Sequence, residues 1–216
     1  MEIITLGIID DHMLFMKSLV TLLRQYCDVR VKLTAENGQE FLNKLEDVEL
    51  PDVILMDISM PVMDGPKTTK ILVEKYPDCK VIALSGYSGK SYISKMILSG
   101  VCGFLSKNIN PEDLINAIIK ANDGGLPFNE EALEVLRSIY IEDEDNKDTK
   151  SKYTNHELKI IDLICHEKTN NEIAESLGIS KNTVEVHKRK LIQKMGVKNS
   201  VGIAVYAVRY GLVEFE

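Results

Sequence analysis

The sequence predicts a doubly wound, five-stranded parallel α/β sheet followed by a small all-helical domain. Three observations carry this expectation. Strand and helix patterns alternate through the first 120 residues, as they do when helices cover both faces of a parallel sheet. Val53-Ile54-Leu55-Met56 is an unbroken apolar run, the mark of a strand buried on both faces. Beyond Lys150 every periodic signal is helical.

In order, residues 3–9 read as a strand, 14–26 as an amphipathic helix and 29–34 as a second strand. A short helix over 39–45 precedes the strand that ends at Asp57. Residues 67–75 are helical, 81–84 a strand, 92–98 a helix, 104–105 a short strand, and 111–121 a helix with Pro111 in its first turn. The flavodoxin-like order 2-1-3-4-5 is one of two common solutions for such a chain, and it sets the first and third strand ends side by side. Gly124-Gly125 then breaks the pattern. A helical stretch near 130–141 follows, and residues 142–150 are wholly polar. That run cannot bury a core and reads as a flexible linker. The expected domains are 1–124, a helix plus charged linker over 125–151, and 152–216.

In the last segment Thr154-Asn155-His156-Glu157 fits a capping box before Leu158, Ile161, Leu163 and Ile164. A second helix over 171–177 is closed by Gly178-Ile179. Ser180 caps a third over 181–195, which Gly196 ends, and 200–210 forms a fourth. A short helix, a glycine-bearing turn and a longer basic helix make the helix-turn-helix pattern.

Composition narrows the function classes. No apolar run approaches the roughly 18 residues of a membrane span, and the N-terminus lacks the basic region of a signal peptide. Cys27, Cys79, Cys102 and Cys165 form no Cys-x-x-Cys pair, which fits reduced thiols in a cytoplasmic protein rather than metal or redox work. The net charge of −7 is unevenly placed: residues 151–216 carry +2 and the preceding 150 carry −9. Lys181, Lys188, Arg189, Lys190, Lys194 and Lys198 crowd into 181–198 against one acid, Glu185. An acidic front and a locally basic back imply two domains with different partners.

Asp10 and Asp11 close the first strand as Asp57 closes the third, so the expected strand order brings three carboxylates together. Either Asp10 or Asp11 could instead cap the following helix. Carboxylates that close repel unless a cation or protons intervene, and a hard, oxygen-loving ion such as Mg²⁺ answers that need. Ser85 and Lys107 end the fourth and fifth strands on the same rim. A hydroxyl and an ammonium facing a metal and a carboxylate are the parts needed to hold a phosphoryl group on Asp57.

This constellation resembles the receiver domain of two-component response regulators. The resemblance covers about residues 3–122 through Asp10-Asp11, Asp57 with Met60-Pro61-Val62-Met63-Asp64-Gly65, Ser85-Gly86 and Gly103-Phe104-Leu105-Ser106-Lys107. It implies that Asp57 takes phosphate from a sensor histidine kinase. It also implies that Asp11, Asp57 and the Ser59 carbonyl bind Mg²⁺, with Asp10 acting through water. Lys107 would contact the phosphoryl group and Ser85 would move toward it. Phe104 matches the family's switch aromatic, where Tyr is frequent; without a hydroxyl an inward Phe104 has no hydrogen bond to gain, and a plain core residue is the alternative reading. Asn108 stands where many receivers have Pro.

On the basic helix Val184, Leu191 and Met195, with Ile192 beside them, form an apolar stripe at helical spacing. The opposite side carries Asn182, Glu185, Val186, Arg189 and Gln193. Thr183, His187, Lys188, Lys190 and Lys194 are expected on the flanks, with Lys181 at the start. A helix so built can lie in a major groove, front residues reading bases and flanks binding phosphates of double-stranded DNA. The segment from Tyr153 to Val197 resembles the LuxR-type helix-turn-helix, and with the receiver the chain is similar to NarL/FixJ-class response regulators. In that family the positions of Glu185, Val186 and Arg189 face bases, and the last helix mediates dimerisation. Glu185 stands where Lys is usual: it can accept from cytosine N4 or pair with Arg189 at i,i+4.

The resulting expectation is a phosphorylation-dependent transcriptional regulator, forming a homodimer on phosphorylation. Rival readings are a phosphohydrolase using Asp57 as nucleophile, though Ser59 stands where such enzymes often carry a second Asp, and an interaction module with a silent receiver.

Overall fold

The computed structural model describes residues 3–86, 89–138 and 150–213. Five strands, β1 (Ile4–Ile9), β2 (Val29–Ala35), β3 (Val53–Asp57), β4 (Val81–Ser85) and β5 (Gly103–Ser106), form one parallel sheet in the order β2-β1-β3-β4-β5. Every residue of β3 and β4 is buried, as the continuous apolar run required. Five helices interleave with the strands: α1 (Met13–Leu23), α2 (Gly38–Lys44), α3 (Gly65–Lys75), α4 (Lys90–Ser99) and α5 (Pro111–Asn122). Asn37, Asp64 and Asn110 accept hydrogen bonds from the third helical N–H of α2, α3 and α5, so these starts are fixed by local chemistry.

Alternation along the strands builds a core on each face. Leu6, Ile8, Leu55 and Ile82 meet Leu19 of α1 and Ile118 of α5. Ile54, Met56 and Ala83 meet Phe41, Leu72 and Ile93 of α2, α3 and α4. The second core does not stop at the sheet. It continues through Ala132 and Val135 of α6 (Glu130–Ser138), which packs on α4 and on the C-terminal helices.

Residues 126–129 lie along β5. The Phe104 N–H donates to Pro127 O at 3.0 Å, and the Asn129 N–H donates to Phe104 O at 3.0 Å. The helix expected over 130–141 is present to Ser138, and residues 139–149, nearly all of the expected linker, lie outside those described. A short 3-10 turn, Lys150–Lys152, precedes α7 (Asn155–Cys165), α8 (Asn170–Leu177), α9 (Lys181–Met195) and α10 (Ser200–Arg209). The capping box at Thr154/Glu157 forms as expected, and a second one appears at Thr169/Glu172. No helix among the described residues is long and apolar enough to cross a membrane.

Candidate functional site

β1, β3, β4 and β5 end on one rim, and their last residues converge. Lys107 Nζ sits 2.6 Å from Asp10 Oδ2 and 3.0 Å from Asp57 Oδ1. Asp10 is 1% exposed and Asp57 6%. Burial pushes the Asp57 carboxyl above the usual carboxylate range; the Lys107 ammonium offsets part of that rise and the Asp10 charge adds to it. For Lys107 burial acts downward, but hydrogen bonds and charges from Asp10 and Asp57 outweigh it, and its pKa rises. The cation therefore stays charged between the two acids. Ser85 is buried and lines the same cleft of about 580 Å³, as do Asp57, Ser59 and Lys107.

The local chain is built to hold this geometry. Asp64 caps α3, and the Gly65 N–H donates to Ile58 O at 2.9 Å. A Cβ on Gly65 would lie 2.2 Å from the Asp57 carbonyl oxygen, so only glycine lets α3 start this close to the strand end. Neither Asp10 nor Asp11 is the N-cap of α1; His12 holds that position without a side-chain cap, while Asp10 Oδ1 accepts from the His12 N–H at 2.9 Å.

His12 and Phe15 were missed by sequence reasoning. The His12 Nδ1 lies 3.1 Å from Asp11 Oδ1, and Lys107 Nζ lies 4.9 Å from the Phe15 ring centre. Adjacency to Asp10-Asp11 and the i+4 step to Phe15 were the available signals. Ligand atoms of Asp10, Asp11, His12 and Asp57 all fall within 4.8 Å of one another. Asp11 Oδ1 is buried and accepts no hydrogen bond. A buried carboxylate oxygen with no hydrogen bond, only the His12 ring nitrogen 3.1 Å away, set among other hard oxygens, fits a Mg²⁺ ion.

Phe104 is 1% exposed and lies in the core. It is therefore inward, with its backbone committed to the 127–129 segment. Cys79, Cys102 and Cys165 are not reactive thiols: burial pushes each up to about 12.

On α9, Asn182, Val186, Arg189, Lys190 and Lys194 are exposed, and Lys181, Thr183, Glu185 and His187 are half-buried. Arg189 and Glu185 approach to 4.0 Å, the i,i+4 pairing foreseen as one role for the acid. The Lys194 ammonium is held by Glu157 of α7 at 2.8 Å. Lys188 corrects the expected placement on a flank. At about 100° per residue it falls between Met195 and Ile192 on the apolar stripe, not beside it. It is 5% exposed, and its Nζ donates to Gly124 O and to Asn170 Oδ1, each at 2.8 Å. Burial lowers its pKa to about 8, opposed by the charges of Asp123 and Glu185 and aided by that of Lys80.

The inner face of α9 is thus pressed on the end of α5. Lys181 pairs with Asp123 at 2.7 Å, the Asn170 N–H donates to Asp123 O at 2.8 Å, and the Asn199 side chain donates to Gly100 O at 2.6 Å. A helix suited to a DNA groove is here partly covered by the N-terminal domain.

Residues 6–119 match the response regulator receiver domain family, and residues 151–207 match the luxR family of bacterial regulatory proteins. The transcriptional regulatory protein MctR of Rhizobium johnstonii is 30% identical over 206 residues, covering 95% of this chain and 94% of its own length. The oxygen regulatory protein NreC of Staphylococcus carnosus is 31% identical over 214 residues, covering 96% and 98%. RcsB from Salmonella enterica serovar Typhimurium, solved bound to promoter rprA in the presence of the phosphomimetic BeF3-, has a TM-score of 0.54 over 95% of this chain and 98% of that one. At 22% identity that likeness speaks for the fold alone.

Proposed function

The chain belongs to the two-component response regulators of the NarL/FixJ class, which join a receiver domain to a LuxR-type DNA-binding domain, and from that premise we propose that Asp57 accepts a phosphoryl group from a sensor histidine kinase, freeing the C-terminal helices for promoter DNA. In this reading residues 1–124 are the receiver, 125–151 a helix and linker, and 152–216 the DNA-binding domain. A carboxylate oxygen of Asp57 forms the new O–P bond as the P–N bond of the kinase's phosphohistidine breaks. The bonding electron pair stays on the imidazole, which takes up a proton.

The observation that carries this reading is the Lys107 ammonium, held between Asp10 and Asp57 at the floor of an open cleft. A phosphoryl group brings about −1.5 to −2 charges at pH 7, and Lys107 is already within reach of the oxygen that would carry it. Ser85 supplies a hydroxyl to the same space. Asp10, Asp11, Asp57 and the Ser59 carbonyl would hold Mg²⁺, which when bound screens charge on phosphoryl oxygens.

The contacts that hold the inner face and start of α9 against the N-terminal domain give phosphorylation something to act on. Moving a mostly closed population to a mostly open one takes about 5.5 kcal/mol of differential stabilisation. Opening also frees the part of α10 that meets α6 for pairing with a second copy.

Incubation with acetyl phosphate and Mg²⁺ should add one phosphate by intact mass, raise affinity for duplex DNA, and shift the protein toward dimer in sedimentation. Asp57→Asn should do none of these. A wild-type protein that gains no mass, or an Asp57→Asn protein that gains as much, would reject the assignment.

A further inference from the structure

The start of α8 is satisfied in an unusual way. A helix leaves its first N–H donors without internal partners. Here Thr169 N–H donates to Glu172 Oε2 and Glu172 N–H to Thr169 Oγ1, the reciprocal capping box. The two donors between them go to the receiver: Asn170 N–H to Asp123 O at 2.8 Å and Asn171 N–H to Asp123 Oδ2 at 3.1 Å. The other carboxylate oxygen, Oδ1, lies 2.7 Å from the Lys181 ammonium at the start of α9. One anion from the other domain therefore bridges the N-termini of both helices of the helix-turn-helix, with its side chain 13% exposed. Gly124 permits the approach, since a Cβ there would lie 2.6 Å from the Asn170 amide.

We propose that the Asn170 and Asn171 amides together with the Lys181 ammonium form a binding site for a backbone phosphate of DNA, and that Asp123 occupies it in this structure as an internal stand-in for that phosphate. The inference rests on the DNA-binding reading of the C-terminal domain. Its chemistry is that of an oxyanion site: a helix N-terminus offers free N–H groups and a favourable dipole, and Lys181 adds a full positive charge. A phosphodiester presents one negative charge on two oxygens, as the carboxylate does. In helix-turn-helix complexes the first helix crosses the DNA backbone while the second enters the groove, so the junction of their N-termini is where a phosphate belongs.

Among the described residues one further close cation–acid contact joins the domains, Lys120–Glu167 at 2.7 Å and half-buried, but its acid belongs to the C-terminal domain, so no DNA phosphate takes that acid's place. Arg189–Asp78 at 3.8 Å and Lys198–Glu74 at 3.9 Å are exposed, and such pairs contribute little. Asp123 is the anion that a phosphate must displace. Closure and DNA binding then exclude one another at a single electrostatic site, and salt weakens both.

The test uses the full chain and a labelled mixed-sequence duplex, titrated by fluorescence anisotropy between about 50 and 200 mM salt. Unphosphorylated Asp123→Asn should bind roughly tenfold tighter than wild type, the worth of one charge-assisted contact. Its salt dependence should also be steeper, because the Lys181–Asp123 pair is no longer there for salt to loosen. Lys181→Gln removes that ion pair and the phosphate contact together. Its log affinity should therefore fall less steeply with log salt than that of Asp123→Asn, by about 0.9.

Equal slopes for the two variants, or an Asp123→Asn protein no tighter than wild type, would overturn the proposal. If Asp123→Asn does not fold, the slope change between acetyl phosphate-treated wild type and Lys181→Gln decides the phosphate contact alone. Failure of acetyl phosphate-treated wild type to bind the duplex at all would instead sink the DNA-binding reading beneath it.

Discussion

Raising the pH should close this protein, and Lys188 is the reason. In the closed form its ammonium is 5% exposed between α9 and the end of α5, and its pKa falls to about 8 from an ordinary 10.5. If opening carries it away from Gly124 and into solvent, it would return to the ordinary value. At neutral pH the closed form therefore carries the cost of a desolvated cation, on the order of 3 kcal/mol at 1.36 kcal/mol per unit. That cost is present in full below pH 8 and disappears as the buried amine loses its proton first. Closure is then linked to proton release, and the closed form gains between pH 8 and 10.5. From about pH 7.5 to 9.5 the closed-to-open ratio should rise roughly 20-fold, or about 1.8 kcal/mol. Lys188→Met keeps the length and apolar stem but has nothing to titrate. Losing the bonds to Gly124 O and Asn170 Oδ1 changes its absolute affinity without adding a pH term. Duplex affinity of the unphosphorylated full chain, taken as the ratio of wild-type to Lys188→Met dissociation constants, should climb by that factor across the range. Asp123, Glu185 and Lys80, the charges facing Lys188, are common to both proteins. A ratio that stays flat or falls would refute a buried cation between the domains.

Lys107→Ala leaves two buried carboxylates without their cation and should cost about 3–5 kcal/mol in urea unfolding without Mg²⁺, with part recovered on adding the ion; a loss below about 1 kcal/mol would show that the acids are not charged together. Gly65→Ala forces a Cβ against the Asp57 carbonyl and should destabilise by about 1–3 kcal/mol while slowing acetyl phosphate labelling, and unchanged labelling would mean the strand end is not fixed by α3. Glu185→Lys should change which sequences are recovered from random DNA more than overall affinity, since Glu185 reaches Arg189 in the free protein; an identical selected motif would remove it from base readout.

The fold and the pocket were legible because their rules are local or strictly periodic. Strand ends, caps and the acids that close strands follow from runs of a few residues, and the parallel order then brings Asp10, Asp57, Ser85 and Lys107 to one rim. His12 and Phe15 escaped because their value lies in the space they border, not in their spacing. The basic helix was read correctly in extent, and the side opposite its apolar stripe is largely exposed, while Lys188 was misplaced by chemistry: a lysine was assumed to seek water, though helical angle already put it on the apolar stripe.

By itself the sequence determined the five-stranded sheet, the acidic pocket at its rim and the helix-turn-helix, since each is encoded by patterns within single elements. Only the tertiary structure decided that α6 carries the second core into the C-terminal helices, that β5 takes on the 126–129 segment, and that α9 rests on the end of α5. Those contacts unite residues 64 apart at Lys188–Gly124 and 99 apart at Asn199–Gly100. No period reaches that far. Their partners are carbonyls that every residue carries alike, so nothing in side-chain order announces them, and only folding brings them into reach.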